Sequence, residues 1–410
     1  MILSSNSRSK ERLIGFLLSF FFPLVMFLAS IRNYKAKNSL FLSKLSLSLI
    51  GATIIVGGLS GTTDSKRYID YLNSFVAGQT TLISELSNFG VNQADLYRIL
   101  LTFFVSLISE SPIVFFFIVS LVFAHFTLNN YFFVLRNLSW KNNTIVIILL
   151  LSLLLLLNPI SHINGYRFWT AMSVFIYFLF KYVNDSSNKN FVILLITSLF
   201  FHYTFIFVFL SVFFLRYRAI KLYIILFYLS LIITPNIQFL IDSLYSFLPG
   251  FLQMTYDTYT GEQFLDSLNK SSENLAIHII LLKEIQSSFF AILPAFFLYN
   301  SNFKKLSVFN QKILVITLII AIFSNLTDVL PSLARFNFIS YYLFTYLLII
   351  FLDKNKSYQL FGFLITPFLI FMVIVKTRFV FDYFSFVGLF GNPILLAFIE
   401  NDTPLILLFK

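Results

Sequence analysis

Formal charge is scarce in this chain. Only 11% of its 410 residues are Asp, Glu, Lys or Arg, under half of the roughly 25% found in an ordinary soluble domain. Cysteine is absent, which excludes a disulfide scaffold, thiolate metal sites and a cysteine nucleophile. Histidine occurs only at positions 125, 162, 202 and 278. No two of these stand i, i+4 on a helix face, so nothing points to a histidine-held metal. There is no glycine-rich nucleotide loop, no Walker motif and no heptad or solenoid period, hence no sign of an ATP-driven engine. What fills the chain is apolar: 58% hydrophobic residues, 56 of them Phe, and a mean hydropathy of +0.85. Disorder requires the opposite balance. A soluble fold would have to show much of that surface to water. The expectation is an all-α, polytopic integral membrane bundle forming a single domain over 1–410.

A helix needs about 20 apolar residues to cross roughly 30 Å of hydrocarbon. Candidate spans are 13–31, 40–59, 112–134, 143–158, 165–182, 219–241, 276–299, 312–327, 332–351 and 358–376. The run before Ser30-Ile31-Arg32 lacks a small-x-small cleavage site, so it is read as a retained helix rather than a signal peptide. The apolar stretch 96–110 is short and ends at Glu110-Ser111-Pro112, where proline marks a break. The stretch 191–214 reads either as one span or as a re-entrant pair turning near Phe201-His202-Tyr203.

Basic residues choose between these readings, because cytoplasmic loops collect them. Let 96–110 rest on the membrane, and let 191–214 enter and leave on one side. Arg136, Lys141, Lys181, Lys189, Arg216, Arg218, Lys221, Lys304, Lys305, Lys354 and Lys356 then fall inside, while 60–95 and 242–275 become external loops. This gives about 10–12 membrane segments. It leaves Arg8, Lys10 and Arg12 outside, against the rule. The net charge of +11 thus marks inner loops, not a continuous stripe for nucleic acid.

Ionisable groups at the mouths of apolar spans are costly and therefore informative. Asp64, with Tyr68 one helical turn later, is either an interfacial turn with an aromatic anchor or the edge of an external site. Pro159 breaks one helix, and Asn164 or Gly165 can start the next. Arg167 then lies in a first turn at the outer mouth, where it either snorkels to headgroups or holds phosphate oxygens. His202, flanked by hydrophobic sequence, is a hydrogen-bonded structural residue or a general base. Arg335, followed by Tyr341 and Tyr342, repeats the Arg167 situation, and Arg378 is a third outer arginine. Three arginines on one face form a candidate pyrophosphate cradle.

These elements resemble the EpsG/Wzy-type polysaccharide polymerases of bacterial envelopes, which elongate capsule, O-antigen or exopolysaccharide chains. The resemblance rests on Asp64-x-x-x-Tyr68, on Asn164-x-x-Arg167-x-x-x-Ala171 and on His202-Tyr203-Thr204 as a His-x-Ser/Thr element. Arg335 with Tyr341 and Tyr342, and Gly391-Asn392-Pro393, match the family's later part. It spans nearly the whole chain through short motifs. Phe168 stands where the family often has Gln, and Tyr203-Thr204 is bulkier than its usual small pair.

The resemblance implies a multi-pass protein of the bacterial inner membrane that performs an inverting glycosyl transfer on the outer face, without metal or cofactor. The donor is the growing chain on undecaprenyl diphosphate, and the acceptor is a lipid-linked repeat unit. On that reading Arg167 and Arg335, supported by Arg378, hold the diphosphate. His202 or Asp64 takes the hydroxyl proton, and Tyr68, Asn164, Tyr166 and Tyr341 line the substrate. The implied partners are undecaprenyl-diphosphate-linked oligosaccharides, membrane lipids, a flippase and a chain-length regulator, but no nucleic acid. The rival readings are an O-antigen ligase-like transferase and a flippase or exporter of lipid-linked oligosaccharides. Transport is disfavoured because Pro159, Pro235 and Pro331 do not fall into two matched halves.

Overall fold

A backbone surrounded by hydrocarbon must satisfy its own N–H and C=O groups, and a helix does this within one segment. The computed structural model describes residues 13–57, 63–87, 95–184, 190–213, 219–234, 253, 256–257, 276–299, 307–328, 331–392, 396 and 403–409. Among them every regular element is helical. Five stretches are long and apolar enough to cross a bilayer: Pro112–Arg136 (α7), Thr144–Asn184, Ile277–Tyr299 (α13), Val308–Leu326 (α14) and Gln359–Val380 (α17). The expected all-α polytopic membrane class is therefore what the chain forms. Thr144–Asn184 is interrupted: α8 (Thr144–Leu157) stops at Asn158, a 3-10 turn covers Ile160–Gly165, and α9 (Tyr166–Asn184) follows.

Several expected spans are broken, each at a sequence feature. The 13–31 run forms α1 (13–21) and α2 (Pro23–Arg32), because Pro23 lacks the N–H that would continue the first helix and is tolerated only at the start of the second. The 332–351 run forms a four-residue α15 (Pro331–Ala334) and then α16 (Asn337–Lys354), with Arg335 between them. Helix α16 is buried along almost its whole length, whereas α13 and α17 expose Ile292, Leu364 and Ile374 as outer apolar faces. Residues 60–95 hold two helices, α4 (Asp64–Val76) and α5 (Leu82–Ser87), where a loop was expected. Most of 242–275 lies outside the described residues.

The two ends of the bundle differ in charge. At one end the indole N–H of Trp140 donates to the Tyr34 hydroxyl at 2.9 Å, and the N–H and Oγ of Ser139 donate to Asp353 Oδ2 at 2.7 and 2.9 Å. The side-chain amides of Asn142 and Asn143 satisfy the carbonyls of Asp353 and Leu352 at the α16 terminus. These contacts bring Lys35, Lys37, Arg136, Lys141, Lys354 and Lys356 to one end, and Lys181 shares a cavity with Arg136 there. Arg8, Lys10, Arg12, Lys189, Arg216, Arg218, Lys304 and Lys305 lie outside the described residues. At the other end Ile55 N–H donates to Tyr383 O at 2.9 Å and Thr53 Oγ1 donates to Gly388 O at 3.0 Å. A concentration of basic residues at one end is the asymmetry that the positive-inside rule associates with cytoplasmic loops.

The two awkward stretches adopt the arrangement that the charge distribution favours. Helix α6 (Leu96–Ser106) starts beside the α9 N-terminus, and α7 starts at the same end of the bundle. Its 11 residues span about 16 Å, roughly half the hydrocarbon, and Phe104, Leu107 and Ile108 face outward. Helix α10 (Asn190–Phe201) leaves from the basic end, where α9 stops. Helix α12 (Ile220–Ile233) starts at that end too, beside Gln311 near the start of α14. The pair formed by α10 and α11 (Phe205–Ser211) therefore enters and leaves on one side, with His202-Tyr203-Thr204 at its turning point.

Helices in lipid associate through close packing rather than a hydrophobic drive, so small residues sit at the tightest crossing. On α3 (Ser39–Ala52), Ser43, Ser46, Ser48 and Gly51 are buried. A side chain at Gly51 would place its Cβ 2.6 Å from the Ser120 Cβ of α7. Gly51→Val is expected to force α3 and α7 apart and to lower stability by about 1–3 kcal/mol. Thermal unfolding of the detergent-purified protein measures this, and an unchanged midpoint would show that the crossing is loose.

Candidate functional site

The site is assembled around Asp95, which precedes α6, from three further chain segments at the end opposite the basic one. The first is the start of α4. The Ser65 N–H donates to Asn164 Oδ1 at 2.9 Å, so a side chain 99 residues away caps this helix. Asp64 occupies its first turn, where a carboxylate suits the helix dipole, and pairs with Arg67 at 3.5 Å. Ser65, Tyr68, Ile69, Leu72 and Phe75 share the buried face of α4. Tyr71, farther along the helix, donates to Glu85 Oε2 at 2.6 Å. Burial and that carboxylate hold its phenol above the ordinary tyrosine range.

The second segment is the 3-10 turn leading into α9. It sets Tyr166 and Arg167 at the helix start, with Tyr166 wholly buried among Tyr68, Tyr97 and Phe115 at ring separations of 4.6, 5.5 and 6.0 Å. Arg167 Nε donates to the Tyr68 hydroxyl at 3.2 Å, and its Nη1 meets Asp95 Oδ2 at 2.5 Å. Asp95, immediately before α6, is only 4% exposed. A carboxylate taken this far from water is tolerable only when paired.

The third segment is the turn between α10 and α11. Asp95 Oδ1 accepts from Tyr203 N–H at 3.3 Å and lies 3.8 Å from His202 Nδ1. The hydroxyl of Thr204 is 2.9 Å from the same imidazole nitrogen. Asp95 thus faces Arg167 with one oxygen and the His202 turn with the other. Phe168 follows Arg167 into a layer with Phe205 and Phe336, each ring 5.4 Å from it, beneath the network.

Of the residues singled out in the sequence, Asp64, Tyr68, Asn164, Tyr166, Arg167 and His202 come together here. Arg335 stands exposed between α15 and α16, and the ring of its neighbour Phe336 packs 5.4 Å from both Phe168 and Phe205. Tyr341 is farther along α16. Its ring stacks on Phe290 at 4.2 Å and lines a cavity of about 490 Å³ with Lys283, Asn325, Asp328, Asn337 and Phe338. Arg378 faces Asp382 at 3.9 Å and Phe379, and neither contact joins it to the Asp95 network.

Two residues of the site escape a reading of the sequence. Asp95 looks like an ordinary acid ahead of a short apolar run, and only its fold position shows that it is the partner of Arg167. Lys376 sits at the edge of an apolar run, and a basic residue there is a recognisable signal. It is 8% exposed, its Nζ lies 5.4 Å over the Phe338 ring, and it has no carboxylate partner among the described residues. Phe338 in turn meets Trp169 edge-on at 5.1 Å, and Trp169 stacks with His162 at 3.6 Å.

Comparison with protein-family models, with curated proteins and with solved structures finds no match. Among the described residues, no cluster of His, Asp and Glu is arranged to hold a metal ion.

Removing Arg167 would leave the Asp95 carboxylate buried and unpaired. Arg167→Leu is expected to cost about 3 kcal/mol or more, and Asp95→Asn in the same chain to restore part of it. A double-mutant cycle read by thermal unfolding checks this, and strictly additive losses would mean that the pair is uncoupled.

Proposed function

We propose that this protein is a polysaccharide polymerase of the EpsG/Wzy type in a bacterial inner membrane. It transfers a growing glycan from undecaprenyl diphosphate to a lipid-linked repeat unit on the outer side. The observation that carries this reading is the juxtaposition at the turning point of the broken helix pair. There the imidazole of His202 lies 3.8 Å from a buried carboxylate, and Phe205 just after this turn packs at 5.4 Å against Phe336, the neighbour of Arg335, a cation with no carboxylate partner among the described residues. A transfer from a lipid diphosphate to a sugar hydroxyl asks for this set: a base for the hydroxyl and fixed positive charge for the leaving group.

His202 takes up the acceptor's hydroxyl proton, and the Asp95 carboxylate, 3.8 Å from Nδ1, stabilises the imidazolium that forms. The hydroxyl oxygen bonds to the anomeric carbon as the anomeric C–O bond to phosphate breaks, and the diphosphate departs with the electron pair. Attack from the opposite face inverts the anomeric centre. Arg335 and Lys376 meet the charge that develops on the diphosphate, and preoriented charges in a partly apolar setting act more strongly than charges in water. Arg167 has a different part. Engaged with Asp95 and Tyr68, it orients the carboxylate and through it the imidazole. Asp64 and Asn164, at the rim, are placed to hold sugar hydroxyls. The cavity beside Tyr341 offers aromatic walls on which a sugar ring can stack.

Two single substitutions test this. His202→Ala is expected to slow chain growth about 100-fold or more. Arg335→Ala is expected to leave mainly single repeat units where the parent strain makes long polymer. Gel analysis of cell-surface glycan, with protein levels matched by immunoblot, reads both. Full-length polymer in either strain would sink the assignment. Long glycan retained on the lipid carrier would favour a ligase, and repeat units trapped on the cytoplasmic side would favour an exporter.

A further inference from the structure

At the basic end, far from Asp95, two adjoining cavities are walled by cations. Lys37, Lys44 and Arg136 line one of about 640 Å³, together with apolar side chains of α3 and α7. Arg136 and Lys181 line a neighbour of about 430 Å³, and Leu40 borders both. Lys44 is not a loop residue. It lies six residues beyond the α3 N-cap Asn38, about 9 Å along the axis, and is partly buried near Arg136. The amphipathic stems of these side chains lie along apolar walls while their charges converge.

Among the described residues no carboxylate pairs with these cations. Helices α2, α3, α7 and α9 contain no Asp or Glu. Asp353, the acid described at this end, accepts from the N–H and hydroxyl of Ser139. None of Lys37, Lys44, Arg136 and Lys181 has an ion-pair partner among the described residues. Their other contacts are Arg136 over Phe132 at 5.6 Å and Lys181 over Tyr177 at 4.2 Å. Like charges held together in a partly desolvated groove repel one another, and an anion placed between them removes that cost.

We propose that this groove is a binding site for the phosphate headgroup of an anionic phospholipid from the cytoplasmic leaflet. The position at the positive-inside end puts the cations at headgroup depth, as in other basic pockets between membrane helices. The mouth is apolar where acyl chains would run: Phe41 is 60% exposed and Leu121 is 43% exposed. Phosphate is held between Lys44 and Arg136, with Lys37 and Lys181 at the rim. The site is independent of the glycan-transfer reading, lying at the other end of the bundle.

The test uses the full chain purified in detergent. Binding of phosphatidylglycerol and phosphatidylcholine is compared by native mass spectrometry and by thermal unfolding, with inorganic phosphate alone as a separate arm. The expected result is a preference for phosphatidylglycerol of about tenfold or more, falling about fivefold for each charge removed in Lys44→Gln and Arg136→Gln, the worth of one basic residue near an anionic surface. Lys37→Gln, at an exposed position, gives the same reading should the buried substitution prevent folding. Equal binding of the two lipids, or a preference unchanged in the variants, would overturn the proposal. Protection by inorganic phosphate equal to that by the lipid would also overturn it, assigning the groove to a free anion.

Discussion

The carboxylate of Asp95 ties together three parts of the chain that also pack through Tyr97, Phe168, Phe201 and Phe205. One oxygen is held by Arg167 at the start of α9, and the other faces the Tyr203 N–H and the His202 imidazole at the turn between α10 and α11. Asp95 itself precedes α6. In a medium of low dielectric a lone carboxylate is far more costly than a paired one, so none of these segments can shift without exposing a charge to an environment that cannot solvate it. Tyr68, accepting from the same guanidinium, brings α4 under the same constraint. An electrostatic requirement thereby acts as a positioning device for helices too short to anchor themselves by spanning the bilayer.

The bundle separates two kinds of positive charge. At the basic end, lysines and arginines gather around turns that Asp353, Asn142 and Asn143 tie together. At the opposite end cations are interspersed with acids, and four of them have particular surroundings. Arg167 is bound to Asp95, Arg378 faces Asp382, Lys376 lies over Phe338, and Arg335 is exposed just ahead of α16. The distinction between paired and unpaired outer cations divides the work of the proposed reaction. Paired ones shape the site, and unpaired ones meet an anionic ligand.

Much of the fold was legible because it follows from composition and from single residues. An apolar chain poor in charge has to be helical in lipid. Pro23 splits the first span and Pro159 separates α8 from the turn before α9. Counting basic residues was enough to favour a re-entrant 191–214 and a non-crossing 96–110 over the alternative, and the helix ends have that arrangement. The helices within 60–95 were not foreseen. The apolar face of α4 recurs only through Tyr68, Ile69, Leu72 and Phe75 in an otherwise polar segment, a weaker signal than a continuous hydrophobic run.

Residue type and local spacing determined by themselves that this protein is a helical membrane bundle. They also marked Tyr68, Asn164, Tyr166, Arg167 and His202 as candidates, since a polar group in an apolar run is conspicuous without any structure. They could not say which candidates meet, because ion pairing depends on distance in space. Asp95 and Arg167 are 72 positions apart, and Asp95 and Tyr203 are 108 apart. Only the tertiary structure decided that Arg167 is engaged while Arg335 is not, that Lys376 is buried over an aromatic ring, and that the lysines and arginine of the basic end converge on one groove. The physical reason is that the cost of a charge is set by what surrounds it, and helices from the whole length of the chain supply those surroundings.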